Sequence, residues 1–139
     1  LYEALQLQAD VILCEADGSR HHPCKVPAEH EPVFLPDSEI VLAVAGMDAL
    51  GRLLAQACQR PQLAAALLGC SLDSVIDAQM LAALLLSEQG ARKNVGKRTF
   101  YIVLNKCDLL PAAQQEEILR LLVSAGMDEH RIWLRERGE

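Results

Sequence analysis

No stretch of this sequence reaches the roughly 18 consecutive apolar residues that a membrane-crossing helix needs. Its most Leu- and Ala-rich helical candidate, Ala78 to Leu86, is broken on both sides by polar residues. Positive charge is also in short supply. Thirteen Lys and Arg stand against nineteen Asp and Glu, a formal net charge of −6 over 139 residues, which excludes a general binder of nucleic-acid backbones. The cysteines contain no C-x-x-C pair and are odd in number, five, at positions 14, 24, 58, 70 and 107. A secreted disulfide scaffold shows an even count in a shorter chain, so this usage points to a reducing cytoplasm. Missing too is any G-x-x-x-x-G-K-S/T segment, since Gly90-Ala91-Arg92-Lys93 and Gly96-Lys97 lack that spacing. Apolar side chains, by contrast, make up 51% of residues, enough to fill one core and to exclude disorder over most of the chain.

Apolar runs of strand length occur at Val11 to Cys14, Glu39 to Ala45 and Thr99 to Leu104. Continuous runs of this kind mark strands buried on both faces, as in parallel sheets. Between the first two, Arg20 to Ser38 carries prolines at 23, 27, 32 and 36. That density forbids helix and central strand and predicts a long extended loop, functional or mobile. Helical spacing predicts a helix over Met47 to Gln59 and another from Pro61 to Leu68. A third, Ala78 to Gln89, starts at the N-cap Asp77 and reads as core, with a homo-oligomer face as a second use. Pro111 opens a fourth that reaches about Ser124, its first turns acidic. Ala91 to Arg98 reads as a basic loop and Arg131 to Arg135 as a fourth short strand. Strands alternating with helices predict an α/β fold, a three-layer, mostly parallel sheet with helices on both faces and the first three strands parallel. Residues 1–139 read as a single domain. Leu1 to Gln8 looks like the last turns of a helix, so the expectation is a C-terminal portion of a longer protein.

The strongest local motif is Asn105-Lys106-Cys107-Asp108, at the end of the third run and before the Pro111 helix. Ligands of open α/β sheets bind at that carboxyl edge. N-K-x-D there resembles the guanine-reading motif of P-loop GTPases. A carboxylate accepts two parallel hydrogen bonds from the ring N–H and exocyclic amine of guanine, which adenine does not offer. Asp108 would read the base, Asn105 would contact its other edge and tie neighbouring loops, and Lys106 would lay its stem over base or ribose. Such a site rejects the wrong base by a factor of ~10⁴ or more. The competing reading is a polar strand-end turn. Cys107 fills the free position of the motif, and Cys14 reads as core.

Glu15-Ala16-Asp17-Gly18 resembles the acidic-x-x-Gly element of GTPases, in the Glu form of metallochaperone-type relatives. In that role Glu15 or Asp17 would act on Mg²⁺ or its water shell, and the Gly18 amide would sense a γ-phosphate. A turn capping the strand is the alternative. His21, His22, Cys24 and His30 cluster within ten residues and suit a transition metal, Zn, Ni or Cu, although solvated loop histidines show the same pattern. Arg20 and Lys25 could meet phosphate or simply be solvated. Arg92, Lys93, Lys97 and Arg98 read as a solvated loop or a partner-docking patch.

Taken together, Glu15 to Arg20, Pro23 to Pro32, Ala45 to Gly51 and Leu104 to Asp108 resemble the YqeC family, in order and with consistent spacing from Asp10 to Asp108. The stretch Lys25-Val26-Pro27-Ala28-Glu29-His30-Glu31-Pro32 is the most family-specific. Members are described as selenium-dependent hydroxylase accessory proteins with a P-loop NTPase fold. The resemblance implies GTP and Mg²⁺ as cofactors, with Asp17 as the Mg²⁺ ligand. It implies catalytic roles for Glu15, Asp17 and His30 and nucleotide contacts from Gly18, Lys25, Asn105, Lys106 and Asp108. The implied partner is a molybdenum hydroxylase or its maturation machinery, with nucleotide state moving the Arg20 to Ser38 loop. The phosphate cradle of the family lies N-terminal to the point where this chain begins. A non-hydrolysing module that holds a cofactor, metal or client enzyme is the alternative from another class.

Overall fold

The computed structural model describes residues 2–138. Helix α1 (Tyr2–Gln6) leads into an unpaired extended segment, followed by β1 (Cys24–Lys25), β2 (Ile40–Gly46), α2 (Leu54–Ala57) and β3 (Cys58–Gln59). Next come α3 (Pro61–Leu68), α4 (Ala78–Leu86), β4 (Thr99–Asn105), α5 (Ala112–Ser124) and β5 (Ile132–Leu134). The strands form two parallel sheets, β2-β4-β5 and the two-residue pair β1-β3. The mixed α/β class and the parallel pairing expected from the sequence are present.

Register explains where the core lies. Val41 pairs with Phe100, Ala43 with Ile102 and Ala45 with Leu104, and in-register parallel partners share a face. These six and Ile132 belong to one buried cluster with Leu81, Leu84 and Leu85 of α4 and Ile118 and Leu122 of α5. α4 begins where the Asp77 carboxylate accepts a hydrogen bond from the Met80 amide at 2.8 Å, satisfying a donor the helix itself cannot. The opposite face of the sheet is open. Ile40, Leu42, Val44 and Trp133 are all exposed there. The expected second layer of helices is therefore not found among the described residues, and the strands alternate instead of being buried on both sides.

Two further expectations are corrected. Val11 to Cys14 is not a strand: Val11 and Leu13 are exposed at 74% and 84%, and Cys14 is exposed, not core. An apolar run becomes a strand only where a neighbour takes its N–H and C=O groups, and none of the strands pairs with this one. The helix expected over Met47 to Gln59 is also broken up. A single 3₁₀ turn, Met47–Ala49, is followed by Gly51 in the left-handed region (φ +79°) and then by the four-residue α2. Its amides are taken from outside, Gly51 N–H by Ile76 O (2.9 Å), Leu54 N–H by Ser74 O (2.9 Å) and Ala55 N–H by Leu72 O (3.0 Å).

The proline-rich loop is extended as expected, and it is clamped. Lys93 Nζ donates to the carbonyls of Ala28 (2.6 Å) and Glu29 (2.9 Å), and Asn94 Nδ2 to that of Pro32 (3.2 Å). Arg98 donates to Leu35 O at 3.3 Å and lays its guanidinium 5.1 Å from the Phe34 ring centroid. The basic stretch 92–98 thus fastens the loop to the start of β4, a use beyond solvation that its composition did not reveal.

Candidate functional site

The carboxyl ends of β2 and β4 lie side by side, Gly46 opposite Asn105. Asn105 Oδ1 accepts the Lys106 amide at 2.9 Å, which holds Lys106 in the left-handed region (φ +62°) and turns the chain sharply. Lys106 Nζ then reaches Asp48 Oδ2 at 3.0 Å, in the 3₁₀ turn directly after β2. Position 46 leaves little room for a side chain. A Cβ there would collide with Asp48 Oδ1 and stand 3.0 Å from Pro23 Cβ. The Gly46 amide donates to Pro23 O at 2.7 Å, which brings the proline-rich loop to this edge. Asp48 Oδ1 is buried with no hydrogen-bond partner.

Beyond Lys106, the Cys107 thiol is buried, its Sγ 3.1 Å from Leu104 O, and burial pushes its pKa up. Gln115 of α5 donates to Cys107 O (2.8 Å) and Leu110 O (3.0 Å), so the helix braces the turn. The ladder beside β5 continues past Leu134, with Arg135 N–H on Leu104 O and Cys107 N–H on Arg135 O. This delivers Arg137 to Asp108. Oδ1 of Asp108 accepts the Arg137 amide at 3.0 Å, and Oδ2 accepts Arg137 Nε–H at 2.6 Å. The Arg137 side chain first, then its amide, hold the Asp108 carboxyl below the ordinary carboxylate range. Each Asp108 oxygen thus accepts one hydrogen bond from Arg137, one from its amide and one from its side chain.

A second cluster forms around the acidic turn. Lys25 pairs with Asp17, whose side chain is 8% exposed, and donates to Gly18 O at 3.0 Å. Arg60 follows β3 and places Nη2 2.8 Å from both carboxylate oxygens of Glu31, while Nη1 donates to Val26 O. The Ala28 amide donates to Glu31 Oε2 at 3.2 Å. Burial raises the Asp17 pKa against the pull of Lys25, and Glu31 raises it further. Glu31 is held low, first by the Ala28 amide and then by Asp17 and Arg60. The two carboxyl groups therefore lean on one another, with Asp17 keeping its proton to higher pH.

The structure thus gathers Asp17, Gly18 and Lys25 into one group and Asn105, Lys106 and Asp108 into another, with the Gly46–Pro23 contact between the two loops. Glu15 is exposed, its Oε1 near Gly18. The His30 side chain is 81% exposed, 3.7 Å from Glu31 Oε1, and points out of the cluster. His21 is exposed, His22 Nδ1 sits 3.0 Å from Ser19 O, and Cys24 turns into the core. Among the described residues no three His, Cys, Asp or Glu side chains are placed to hold a metal ion. Lys25 takes one Asp17 oxygen, where a Mg²⁺ ion would compete with its ammonium. Sequence reasoning assigned nothing to Asp48, Arg60 or Arg137. Asp48 had a signal, since it lies in the Ala45 to Gly51 segment; Arg60 and Arg137 had none, because each meets its carboxylate 29 residues along the chain.

Two comparisons with known proteins find a match. A family model described as YqeC protein matches residues 1–62, which hold the acidic turn, Asp48 and Arg60 but stop short of Asn105. A protein of Escherichia coli (strain K12), described as "Uncharacterized protein YqeC", is 37% identical over 130 residues. The match covers 91% of this chain and 50% of that relative, so the chain spans about half the relative's length. No solved structure matches. No helix among the described residues is long and apolar enough to cross a membrane.

Proposed function

Since this chain belongs to the YqeC family, we propose that its strand-end turn reads the base of a guanine nucleotide. One observation supports this reading: both Asp108 oxygens accept N–H donors, the backbone amide and the Nε–H of Arg137. Guanine offers two donors through its ring N–H and amine. Adenine would set a ring-nitrogen lone pair against one oxygen, leaving an acceptor unpaired. Arg137 occupies the place of the base and leaves when the base arrives. The wider role that follows from the family resemblance is a GTP-binding accessory protein for maturation or cofactor insertion of a selenium-dependent molybdenum hydroxylase. GTP would be held by Asn105, Lys106 and Asp108, with its Mg²⁺ and phosphates lying beside Gly18 and Lys25 while the Lys25–Asp17 pair stays closed.

The test is a set of nucleotide titrations on the full-length protein. GTP should bind in preference to ATP. Asp108→Asn exchanges one acceptor for a donor, so it should weaken GTP binding and improve XTP binding. Equal binding of ATP and GTP, or a mutant that keeps its GTP affinity, refutes the base-reading role. A second reading, a binding module that holds nucleotide or a client without hydrolysis, is favoured by the neutralised acids of the first cluster. Asp17 and Glu31 are paired with Lys25 and Arg60, so neither stands ready as a free base. GTP binding without phosphate release would decide for it.

A further inference from the structure

Two cysteines face each other across the smaller sheet. β1 and β3 run parallel with Cys24 opposite Cys58 and Lys25 opposite Gln59. Neighbouring strands lie about 4.8 Å apart, and in-register parallel partners project from one face. That spacing falls inside the roughly 4.4–6.8 Å of Cα separation that a disulfide bridges. The other three cysteines have no such arrangement. Cys14 is exposed, Cys70 is half-buried, and Cys107 packs against Leu104 O.

Both cysteines are buried, 5% and 1% exposed, and Cys58 borders a cleft. The cleft, of about 340 Å³, is also lined by Arg20, His22, Gln59 and Arg60. The Cys24 thiol donates to Ala57 O at 3.5 Å and the Cys58 thiol to Gln59 O at 3.4 Å. The facing thiol and the Val26 amide lower the Cys58 pKa against burial, while the facing thiol and burial push Cys24 up. Of the two facing thiols, Cys58 is the more readily ionised and Cys24 stands opposite it in register.

We propose that Cys24 and Cys58 are a peroxide-reactive dithiol that closes to a disulfide, at a site distinct from the base-reading turn. The Cys58 thiolate attacks one oxygen of a hydroperoxide. The O–O bond breaks, and the departing hydroxide leaves as water after taking a proton from solvent. Cys58 becomes a sulfenic acid. Cys24 Sγ then attacks Cys58 Sγ, the S–S bond forms and the S–O bond breaks, and the Cys24 proton leaves with the hydroxide as a second water. Two thiols are oxidised by two electrons and one peroxide is reduced to two waters. Closure would fix β1 on β3. Lys25 and Val26 sit next to the bridge on one strand and Gln59 and Arg60 on the other, so the Asp17–Lys25 and Glu31–Arg60 pairs would be locked in place with it.

The experiment uses reduced full-length protein and one equivalent of hydrogen peroxide. Remaining thiols are alkylated in denaturant and the peptides mapped by mass spectrometry. The expected result is a Cys24–Cys58 linked peptide, two fewer free thiols, and reversal by dithiothreitol. Protein unfolded in urea before oxidation should lose this selectivity, a control that needs no variant. Cys58→Ser should leave Cys24 alkylatable. Oxidation of Cys14 while Cys24 and Cys58 both stay alkylatable would overturn the proposal, as would linkage of Cys24 to another cysteine.

Discussion

Asp17 and Asp108 each hold a cation, and they hold it differently. Asp17 is 8% exposed at its side chain and sits in a network of Lys25, Glu31 and Arg60 drawn from separate stretches of chain. Asp108 takes both its partners from one residue, Arg137, which is 61% exposed and comes from the last few residues. Removing a cation from an enclosed carboxylate strands a charge where water cannot compensate. Removing one from an exposed carboxylate costs little, because solvent replaces it. The first pairing therefore belongs to the architecture, and the second is exchangeable. Chemistry that looks alike in sequence, an acid near a strand end, divides by burial into a fastener and a recognition group.

The comparison can be broken first at Lys25. Lys25→Ala leaves Asp17 and Glu31 together without one of their two cations, and should destabilise the protein by about 2–3 kcal/mol near neutral pH. The pH dependence has a definite sign. Burial and Glu31 raise the folded Asp17 pKa above its unfolded value, and losing Lys25 raises it further. Such a group stabilises fully below the unfolded pKa and loses that contribution as pH rises through the folded one. Urea melts should therefore show the defect shrinking on acidification. A defect that grows in acid would contradict the raised Asp17 pKa.

Gly46→Ala tests the link between the two clusters. The new Cβ must displace Asp48 Oδ1 and press on Pro23, at a cost of about 1–3 kcal/mol, and it should loosen the proline-rich loop in hydrogen exchange. Unchanged stability would mean the two loops meet less tightly than the structure shows. Arg137→Ala should act the other way from Lys25→Ala. Stability should hardly change, while GTP affinity rises roughly two- to fivefold because the competitor for Asp108 is gone. A weaker GTP affinity would make Arg137 part of the site instead of its stopper. The smallest effect is on Asp108 itself. Its folded pKa is depressed, so its contribution is present above the unfolded value and fades as pH falls through the folded one. The Asp108 carboxyl resonance should titrate below the ordinary aspartate midpoint in wild type and at it in Arg137→Ala.

Legibility in the sequence followed locality. The turn Asn105 to Asp108, β4, α3, α4 and α5 were readable because caps, prolines and apolar periodicity act within a few residues. Val11 to Cys14 misled because strand formation depends on a partner that no local pattern encodes. Met47 to Gln59 misled because its amides are claimed by residues 72–76, a crossing invisible to periodicity. The two arginines that define the site were unreadable for the same reason, each reaching 29 residues to its carboxylate. His30 lay in the most family-specific stretch, yet its side chain faces solvent while neighbouring Glu31 faces inward. Residue type and spacing do not fix which of two adjacent loop residues turns in.

That Asp108 exchanges Arg137 for a base, while Asp17 keeps Lys25, is best tested by NMR on full-length protein labelled with ¹⁵N. The Arg137 Nε–H resonance reports its bond to Asp108, and the Lys25 ammonium reports its bond to Asp17. On titration with GTP the account predicts that the Arg137 signal moves to the position of a free guanidinium while the Lys25 signal keeps its protection through base binding, and that ATP moves neither. An Arg137 signal unmoved at saturating GTP would contradict it.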